Sequence, residues 1–345
     1  MKKIFSSILI SLFIFSGCQR YNYQGTFSYE PIQPNNSEEI LIKYLGADTK
    51  LNNAASIDAT IYQYGVNLIK TSEIPMQKVD NGWVANFTPD SSSTGVIITF
   101  KSGEIIDNNN SLGYLIYFND NAGKTLPGAI AGHYVALSQW GTWYANLKSD
   151  NLSTIIKFED VFTQYPETKN KYLDFYLYTL SRIGTEKALG KIADELSLLK
   201  NKVDLSEDDL IVLAKYSSIL KNDNDTQKYE KLIYENYSNS KYIQQIETMK
   251  MGTAKSAEEL RSNFKEIRKK YPNSELNAIS SYRVLRRFID DGETEGAIKA
   301  AEELKAISHP YAFVYSATKL LSQNDLQSAL KISQIGVEST QMNGK

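Results

Sequence analysis

Few side chains in this 345-residue chain have the chemistry for metal binding or catalysis, and several of them lie in acidic, amide-rich segments. Residues 107–110 read D-N-N-N and residues 119–121 read N-D-N, so both segments offer the hard oxygen ligands that Ca²⁺ takes in proteins. Neither segment has the spacing of a known calcium loop, and Asp and Asn are also the ordinary residues of turns. We therefore expect turns at both places and no metal site.

Two acidic pairs, Asp208-Asp209 and Asp290-Asp291, have the side chains for general acid–base catalysis. The pattern places the first pair in the first turn of a helix and the second pair in a turn between helices. Helix caps and the helix dipole account for acidic residues at such positions without catalysis.

Cysteine and histidine are scarce, which excludes several kinds of site. Cys18 is the single cysteine, so the chain as given holds no internal disulfide, CxxC redox pair or thiolate zinc cluster. His133 and His309 are the only histidines, and we expect His133, in an apolar segment, to be buried and hydrogen-bonded rather than catalytic. No phosphate loop, nucleophile elbow, dinucleotide-binding glycine pattern or zincin motif is present. We expect no enzyme activity and no cofactor.

Three tryptophans, Trp83, Trp140 and Trp143, offer a different chemistry, the stacking of an aromatic ring on a sugar or peptide. Trp140 and Trp143 are three residues apart in a predicted helix and are therefore expected on one face. Packing between domains is the alternative explanation, and it is the one we prefer. The 23 tyrosines are spread along the chain, as expected of amphipathic packing residues at the edges of a core.

Composition and charge limit the class of protein. Hydrophobic residues make up 42% of the chain and charged residues 23%, as in soluble globular proteins. The net charge is −2 and there is no run of basic residues, so nucleic acid is not an expected partner. The length is sufficient for two or more domains.

Residues 1–17 have the pattern of a signal peptide. Lys2 and Lys3 supply the positive start, and an apolar run follows from Ile4 to Phe15 that is shorter than the roughly 20 residues needed to span a bilayer. The run ends in F-S-G-C, and small residues before a lone cysteine resemble the lipobox of bacterial lipoproteins, although Phe15 stands where that family usually has Leu. The resemblance implies that Cys18 is lipidated and becomes the first residue of the mature chain.

A lipidated Cys18 attaches a protein to a membrane without spanning it. By resemblance to the sorting rule of Gram-negative lipoproteins, Gln19 in place of Asp favours the outer membrane. No acidic cluster follows Cys18, which favours the periplasmic face. The alternative is an ordinary signal peptide with an unrelated cysteine. Residues 18–37 mix Gly, Pro, Asn and Ser without a period and predict a tether.

Short strands are predicted in residues 38–127. Residues 56–64 alternate apolar and polar side chains with the period of a half-buried strand, and the sequence D-N-G at 80–82 predicts a hairpin turn with positive φ at Asn81 and Gly82. About six or seven strands separated by turn signals predict a β-sandwich, which we expect to be immunoglobulin-like although the Cys-Trp-Cys signature is absent. Residues 128–149, rich in Gly and Ala, predict a helical junction.

Residues 150–345 predict a helical repeat array. The pattern Phe, two residues, Val or Ile, three residues, Tyr-Pro occurs twice, beginning at Phe158 and at Phe264. The two copies are 106 residues apart, which is three steps of about 35, the length of one helix-turn-helix repeat. We expect about five helix pairs.

The last two pairs resemble tetratricopeptide repeats. In that family, small residues recur where the two helices cross and a proline closes the repeat. The matching residues here are Ala297, Ala301, Ala317, Ala329, Pro272 and Pro310. The Trp-Leu-Gly-Tyr start of the family consensus is missing, so the resemblance extends only to a TPR-like array, and a plain helical bundle is the alternative. The expected fold class is multidomain, an all-β immunoglobulin-like sandwich followed by an all-α TPR-like array.

The groove of such an array usually binds segments of partner proteins. We therefore predict a lipid-anchored periplasmic scaffold or adaptor with a protein partner. An envelope receptor for a glycan or peptide, using Trp140 and Trp143, is an alternative.

A further alternative comes from the order of the segments. A signal, a strand-rich domain, a Gly-Ala-rich helix and TPR-like helices resemble the N-terminal part of exported thioredoxin-like (TlpA-type) lipoproteins of Bacteroidetes and their relatives. In that family a thioredoxin domain with a CxxC pair follows the helices, whereas this sequence ends at Lys345 without one. The resemblance implies disulfide oxidoreductase activity if such a domain follows.

Overall fold

The computed structural model of the protein describes residues 26–66 and 68–342. A strand-rich part with two antiparallel sheets comes first, and an array of helices follows. The predicted signal peptide and Cys18 lie outside the described residues. The chain divides into two compact units between Ala193 and Asp194, so the first helices group with the strands. This division differs from the predicted boundary at residue 150.

The described residues contain nine strands in two sheets. The first sheet has the order β1-β2-β6-β5, and the second has the order β4-β3-β7-β8 with β9 also paired to β7. Every neighbouring pair is antiparallel. The strands are β1 (Phe27–Glu30), β2 (Ile40–Tyr44), β3 (Asp58–Tyr64), β4 (Ile69–Pro75), β5 (Gln77–Val79), β6 (Gly82–Phe87), β7 (Gly95–Ser102), β8 (Ile105–Asp107) and β9 (Tyr114–Tyr117).

The tether predicted for residues 18–37 is wrong for its second half, because β1 lies within it. Phe27 pairs with Tyr44 of β2 and is buried in the core between the sheets. The alternation of Phe27 and Tyr29 with polar residues covers only four positions, which is too short to be distinguished from the irregular sequence around it. The strands β4 and β8 were likewise not predicted, and β5, on the N-terminal side of the predicted hairpin turn, has no buried residue.

The hairpin between β5 and β6 occurs where the sequence predicts it, with a different turn. Val79 pairs with Gly82, so Asp80 and Asn81 are the two central residues. Positive φ occurs only at Gly82, where it is 141°. A Cβ at that position would lie 2.5 Å from the carbonyl oxygen of Tyr44 on the neighbouring strand β2, so both the backbone angle and the close approach require glycine.

The two sheets pack face to face through their inner side chains. Ile40, Ile42 and Tyr44 alternate along β2 and are fully buried. The ring of Tyr44 stacks on Phe100 of β7 with 3.9 Å between ring centroids. Every second side chain of a strand thus points towards the other sheet, as burial of one face of each sheet requires.

Thirteen α-helices follow in the described residues. They are α1 (Pro127–Ser138), α2 (Gly141–Tyr144), α3 (Asn151–Gln164), α4 (Lys169–Ile183), α5 (Glu186–Lys200), α6 (Glu207–Ile219), α7 (Asp223–Asn236), α8 (Lys241–Met251), α9 (Ala257–Lys270), α10 (Leu276–Asp290), α11 (Thr294–Leu304), α12 (Pro310–Ser322) and α13 (Leu326–Met342). The helical array predicted from residue 150 onward is confirmed by the eleven helices α3 to α13. Within the described ranges, none of these helices is both long and apolar enough to cross a membrane.

Side-chain caps explain where several helices begin. Ser206 forms a capping box with Asp209 at the start of α6, and Ser256 accepts from the backbone N–H of Glu259 at the start of α9. The cap of α3 is Asp150, whose side chain accepts from the backbone N–H of Ser153. Capping by Asp150 is expected to stabilise this end of the helix by about 1 kcal/mol.

Three helices end on a tyrosine with the same geometry. Tyr165, Tyr237 and Tyr271 follow α3, α7 and α9 with φ/ψ of −137°/73°, −135°/66° and −127°/68°. The backbone N–H of each bonds to the carbonyl four residues earlier at 2.7–2.8 Å. Tyr237 precedes Ser238 instead of proline, so proline is not needed for this ending. The repeated sequence therefore marks a repeated local structure.

Small residues allow close packing in the C-terminal unit. Ala297, Ala300 and Ala301 of α11 are fully buried in one core with Phe288 of α10. A Cβ at Gly296 would lie 2.6 Å from the Phe288 ring, so glycine allows α11 to approach α10 this closely.

Candidate functional site

The segment at residues 107–110, where the sequence predicts a turn, is a turn whose carboxylate accepts hydrogen bonds from two tyrosines of the core. Asp107 is buried, and its Oδ2 accepts hydrogen bonds from the hydroxyls of Tyr44 (2.6 Å) and Tyr114 (3.0 Å). Its Oδ1 accepts from the backbone N–H of Asn109 at 3.1 Å. Burial and the bond to Asp107 raise the pKa of Tyr44 far above its usual value. These oxygens stabilise the turn and the core.

The second segment is also a turn. Oδ1 of Asp120 accepts from the backbone N–H groups of Ala122 and Lys124, both at 2.9 Å. The amide of Asn119 donates to the carbonyl of Pro34 at 3.2 Å. In the part of the chain that the structure describes, no three His, Cys, Asp or Glu side chains are grouped so that they could hold a metal ion.

His133 lies in α1 and is buried next to Tyr117 of β9. A hydrogen bond of 2.6 Å joins its Nδ1 to the hydroxyl of Tyr117. Burial lowers the pKa of His133 to about 4, so the imidazole is neutral near neutral pH. The prediction of a buried, hydrogen-bonded histidine is confirmed. His309 is the N-cap of α12, where its Nδ1 accepts from the backbone N–H of Tyr311 at 3.2 Å.

The two acidic pairs are held by different contacts. Asp209 completes the capping box of α6 and forms an ion pair with Lys202 at 2.8 Å. Asp290 and Asp291 lie at the C-terminal end of α10, where the helix dipole disfavours acids, so the predicted dipole explanation is wrong for them. Instead, they pair one turn back along the helix, Arg286 with Asp290 and Arg287 with Asp291, at 3.1 and 2.7 Å.

The two tryptophans proposed as a stacking pair do not share an exposed face. Trp140 is 9% exposed and packs against Tyr62 and Tyr64 of β3, whereas Trp143 is 85% exposed. The helix is interrupted at Gln139, with φ −136° and ψ −105°, so Trp140 begins a separate short helix instead of continuing α1. Packing between strands and helices explains Trp140 and leaves a single exposed indole.

An exposed aromatic surface lies on α10 and α12 of the C-terminal unit, and we call it the α10–α12 face. On each helix, exposed or half-buried residues recur with the spacing i, i+3, i+4, i+7, which places them on one side of the helix. Its residues are Ile279, Tyr282, Arg283 and Arg286 on α10, and Tyr311, Val314, Tyr315 and Thr318 on α12.

Ring contacts join the two helices across this face. The ring centroid of Tyr282 lies 5.8 Å from that of Tyr311 and 5.9 Å from that of Tyr315. The contact with Tyr315 is edge-to-face. The guanidinium of Arg286 lies 5.5 Å from the centre of the Tyr315 ring. The Tyr315 hydroxyl donates to Asp290 at 2.9 Å, a bond that raises the pKa of Tyr315. These contacts fix the positions of the aromatic side chains.

The charges of the α10–α12 face are not all paired. Arg286 is held by Asp290, but Arg283 has no ion-pair partner among the described residues. A free guanidinium beside exposed Ile279 and half-buried Tyr282 offers a bidentate site for a carboxylate next to apolar surface.

A pocket of about 540 Å³ lies elsewhere in the same unit, where α6 begins and α7 turns into α8. Its lining includes Glu207, Asp208 and Ile211, opposite Tyr237 and Lys241. The pocket carries charges of both signs and therefore selects no single class of charged ligand.

Sequence reasoning did not find the α10–α12 face, because it assigned the tyrosines to core edges. The signal was present in the spacing of Tyr282 with Ile279 and Arg286, and of Tyr311 with Val314 and Tyr315. Only the structure shows that these positions lie on the exposed side of their helices and that the two helices are neighbours.

Comparison with known proteins yields little. No known protein family and no curated protein matches the chain. Among solved structures, BtubC (BKLC) from P. vanneervenii has a distant likeness, with 13% identity and a TM-score of 0.36 over 56% of this chain and 90% of that protein.

Proposed function

We propose that the protein is a lipid-anchored scaffold or adaptor of the bacterial envelope, on the periplasmic face of the outer membrane, and that it binds a segment of a partner protein on the α10–α12 face. The anchor rests on the resemblance of the residues before Cys18 to a lipobox. The binding role rests on one observation, the preformed Tyr and Arg surface of α10 and α12.

The composition of the face supports this role. Tyr and Arg are enriched among the residues that carry most of the binding energy in protein interfaces. The rings of Tyr282, Tyr311 and Tyr315 are already ordered by their mutual contacts, so little side-chain entropy is lost on binding. Arg283 favours a partner segment that places an acidic residue among apolar ones.

We also propose the finer fold assignments. The strand orders β1-β2-β6-β5 and β3-β7-β9, with β4 as an additional strand beside β3, support the A-B-E-D and C-F-G arrangement of immunoglobulin-like sandwiches. The repeated tyrosine ending of α3, α7 and α9, and the buried alanines of α11, support a TPR-like array.

Site-specific photo-crosslinking in the native membrane tests the binding role. A photoreactive residue that replaces the exposed Val314 on α12 is expected to capture one partner protein. The same residue in place of Lys299, exposed on α11, is the control and is expected to capture none.

A charge reversal sharpens the test. Arg283→Glu is expected to reduce crosslinking from position 314 at least tenfold, since it replaces an attractive charge with a repulsive one. Lys299→Glu is the matched change and is expected to leave crosslinking unchanged. Equal crosslinking from positions 314 and 299, or no effect of Arg283→Glu, would contradict the proposal.

A further inference from the structure

Three large apolar side chains are exposed on two neighbouring segments of the N-terminal unit. Trp143 is 85% exposed, Tyr144 is 67% exposed, and Leu112 is 54% exposed. Trp143 and Tyr144 end α2, and Leu112 lies in the loop between β8 and β9. We call these three residues the Trp143 tip.

Hydrogen bonds hold the two segments of the tip side by side. The amide of Asn108 donates to the carbonyl of Asn146 at 2.8 Å, and the backbone N–H of Lys148 donates to the carbonyl of Ser111 at 2.8 Å. The hydroxyl of Tyr62 donates to the carbonyl of Tyr144 at 2.7 Å, which ties α2 to the sheet. These hydrogen bonds therefore hold the backbone of both segments of the tip in place.

The chemistry of the tip matches the boundary between lipid and water. Trp and Tyr are enriched at membrane interfaces, where the ring is buried and the N–H or O–H stays hydrated. The tip has two such aromatic side chains, Trp143 and Tyr144, beside the aliphatic side chain of Leu112. We propose that the Trp143 tip inserts into the interfacial region of a phospholipid bilayer.

Two polar side chains near the tip, those of Asn108 and Thr142, are already hydrogen-bonded within the protein, which makes them unavailable to a glycan. Sugar binding by an aromatic ring also needs side chains that hydrogen-bond to the hydroxyls. Besides its donated bonds, Asn108 accepts from the backbone N–H of Ser111 at 3.0 Å, and Thr142 donates to the carbonyl of Gln139 at 2.9 Å.

Charge contributes little to the proposed contact. Lys148 and Asp150 follow the tip with opposite signs, and Lys148 is among the groups that lower the pKa of Asp150. Insertion is therefore driven by the aromatic and aliphatic side chains, and it should not depend on anionic lipid. An attached lipid at Cys18 would raise the local concentration of the tip at the membrane, but the contact itself does not require the anchor.

Intrinsic fluorescence tests the proposal directly. Trp83 and Trp140 are buried, so the long-wavelength emission and its quenching by aqueous iodide report on Trp143. The probe is the unlipidated chain beginning at Gln19, which keeps every described residue, mixed with vesicles of phosphatidylcholine or of phosphatidylethanolamine and phosphatidylglycerol. We expect a blue shift and protection from iodide with both compositions, and no shift for Trp143→Phe.

Co-sedimentation with the same vesicles gives the matched comparison. The double variant Leu112→Ser and Trp143→Ser is expected to lower the vesicle partition coefficient about tenfold or more. Ile69→Ser removes an exposed apolar side chain from the edge strand β4 and should leave partition unchanged. Circular dichroism of each variant confirms that the fold is retained.

Three outcomes would overturn the proposal. In the first, neither vesicle composition changes the emission of Trp143. In the second, the double variant binds vesicles with an unchanged partition coefficient. A shift produced by soluble peptidoglycan fragments but not by vesicles would assign the tip to a glycan. None of these results depends on the α10–α12 face, so the failure of either proposal is distinguishable from failure of the other.

Discussion

His133 shows how a single buried side chain links stability to pH. The folded state holds the imidazole neutral with a pKa of about 4, whereas an unfolded histidine titrates near 6.5. Between these two values the unfolded chain binds a proton that the folded state excludes. Stability from this residue is therefore fully present above pH 6.5 and declines as the pH falls towards 4.

We predict that the unfolding free energy of the N-terminal unit declines between pH 6.5 and 4 by up to about 1.4 kcal/mol per pH unit because of His133. His133→Gln, which does not titrate, should decline less steeply. Denaturant unfolding at a series of pH values, followed by tryptophan fluorescence, measures the slope, since all three tryptophans lie before residue 193. Parallel slopes for the two proteins would refute the prediction.

At the scale of the element, two glycines in helices have opposite surroundings. Gly296 of α11 faces the buried ring of Phe288, and an added Cβ would lie 2.6 Å from it. Gly190 of α5 has nothing within 4 Å of an added Cβ. Replacement of glycine by alanine should therefore change stability in opposite directions at the two positions.

We predict that Gly296→Ala destabilises the C-terminal unit by about 1–3 kcal/mol through overpacking. Gly190→Ala should stabilise α5 by about 0.5–1 kcal/mol, because alanine has less backbone entropy to lose. Hydrogen exchange checks both, with faster exchange expected in α10 and α11 for the first variant and slower exchange in α5 for the second. Destabilisation by both substitutions would show that the space around Gly190 is not open.

Two ion pairs of the C-terminal unit differ in how deeply their side chains are buried. Arg261 of α9 is 5% exposed and bonds to Glu303 of α11 through two nitrogens, one of them at 3.0 Å from Oε2. Lys241 and Glu275 form a pair at 3.2 Å in which both side chains are almost fully exposed. Water and salt screen the second pair far more than the first.

We predict that Arg261→Met costs about 2 kcal/mol, since Glu303 keeps only Lys265 as a partner and loses two charge-assisted bonds. Lys241→Met should change stability by less than about 0.5 kcal/mol. Hydrogen exchange in α9 and α11 gives the measurement. A cost for Lys241→Met equal to that for Arg261→Met would rule out burial as the cause.

Helices were easier to predict than strands for a physical reason. The helices after residue 150 carry caps such as Ser206 and Ser256 and long periodic faces, so several local signals agree. β1 has only four residues, and its stability comes from a partner strand that lies further along the chain, as Phe27 pairing with Tyr44 shows. Exposure of Trp143 and burial of Trp140 depend on the break at Gln139, which the sequence does not mark.

For the whole molecule, the two compact units present different exposed aromatic surfaces. The Trp143 tip belongs to the N-terminal unit and the α10–α12 face to the C-terminal unit. The first combines two aromatic side chains with Leu112 and is followed by Lys148 and Asp150, which have opposite charges, whereas the second combines ordered rings with the free guanidinium of Arg283. Membrane contact and partner binding are thus proposed for separate units and are testable separately.

The lipid anchor proposed at Cys18 determines how these surfaces would be presented to the membrane. A covalent lipid contributes about 0.8 kcal/mol per buried CH₂, whereas three side chains at a tip bind a bilayer weakly on their own. We predict that Cys18→Ser abolishes labelling by a palmitate analogue and moves the protein from the membrane to the soluble fraction. Trp143→Ser should leave both labelling and membrane retention unchanged. Membrane retention of Cys18→Ser without label would mean that the apolar run before Cys18, left uncleaved, holds the protein there.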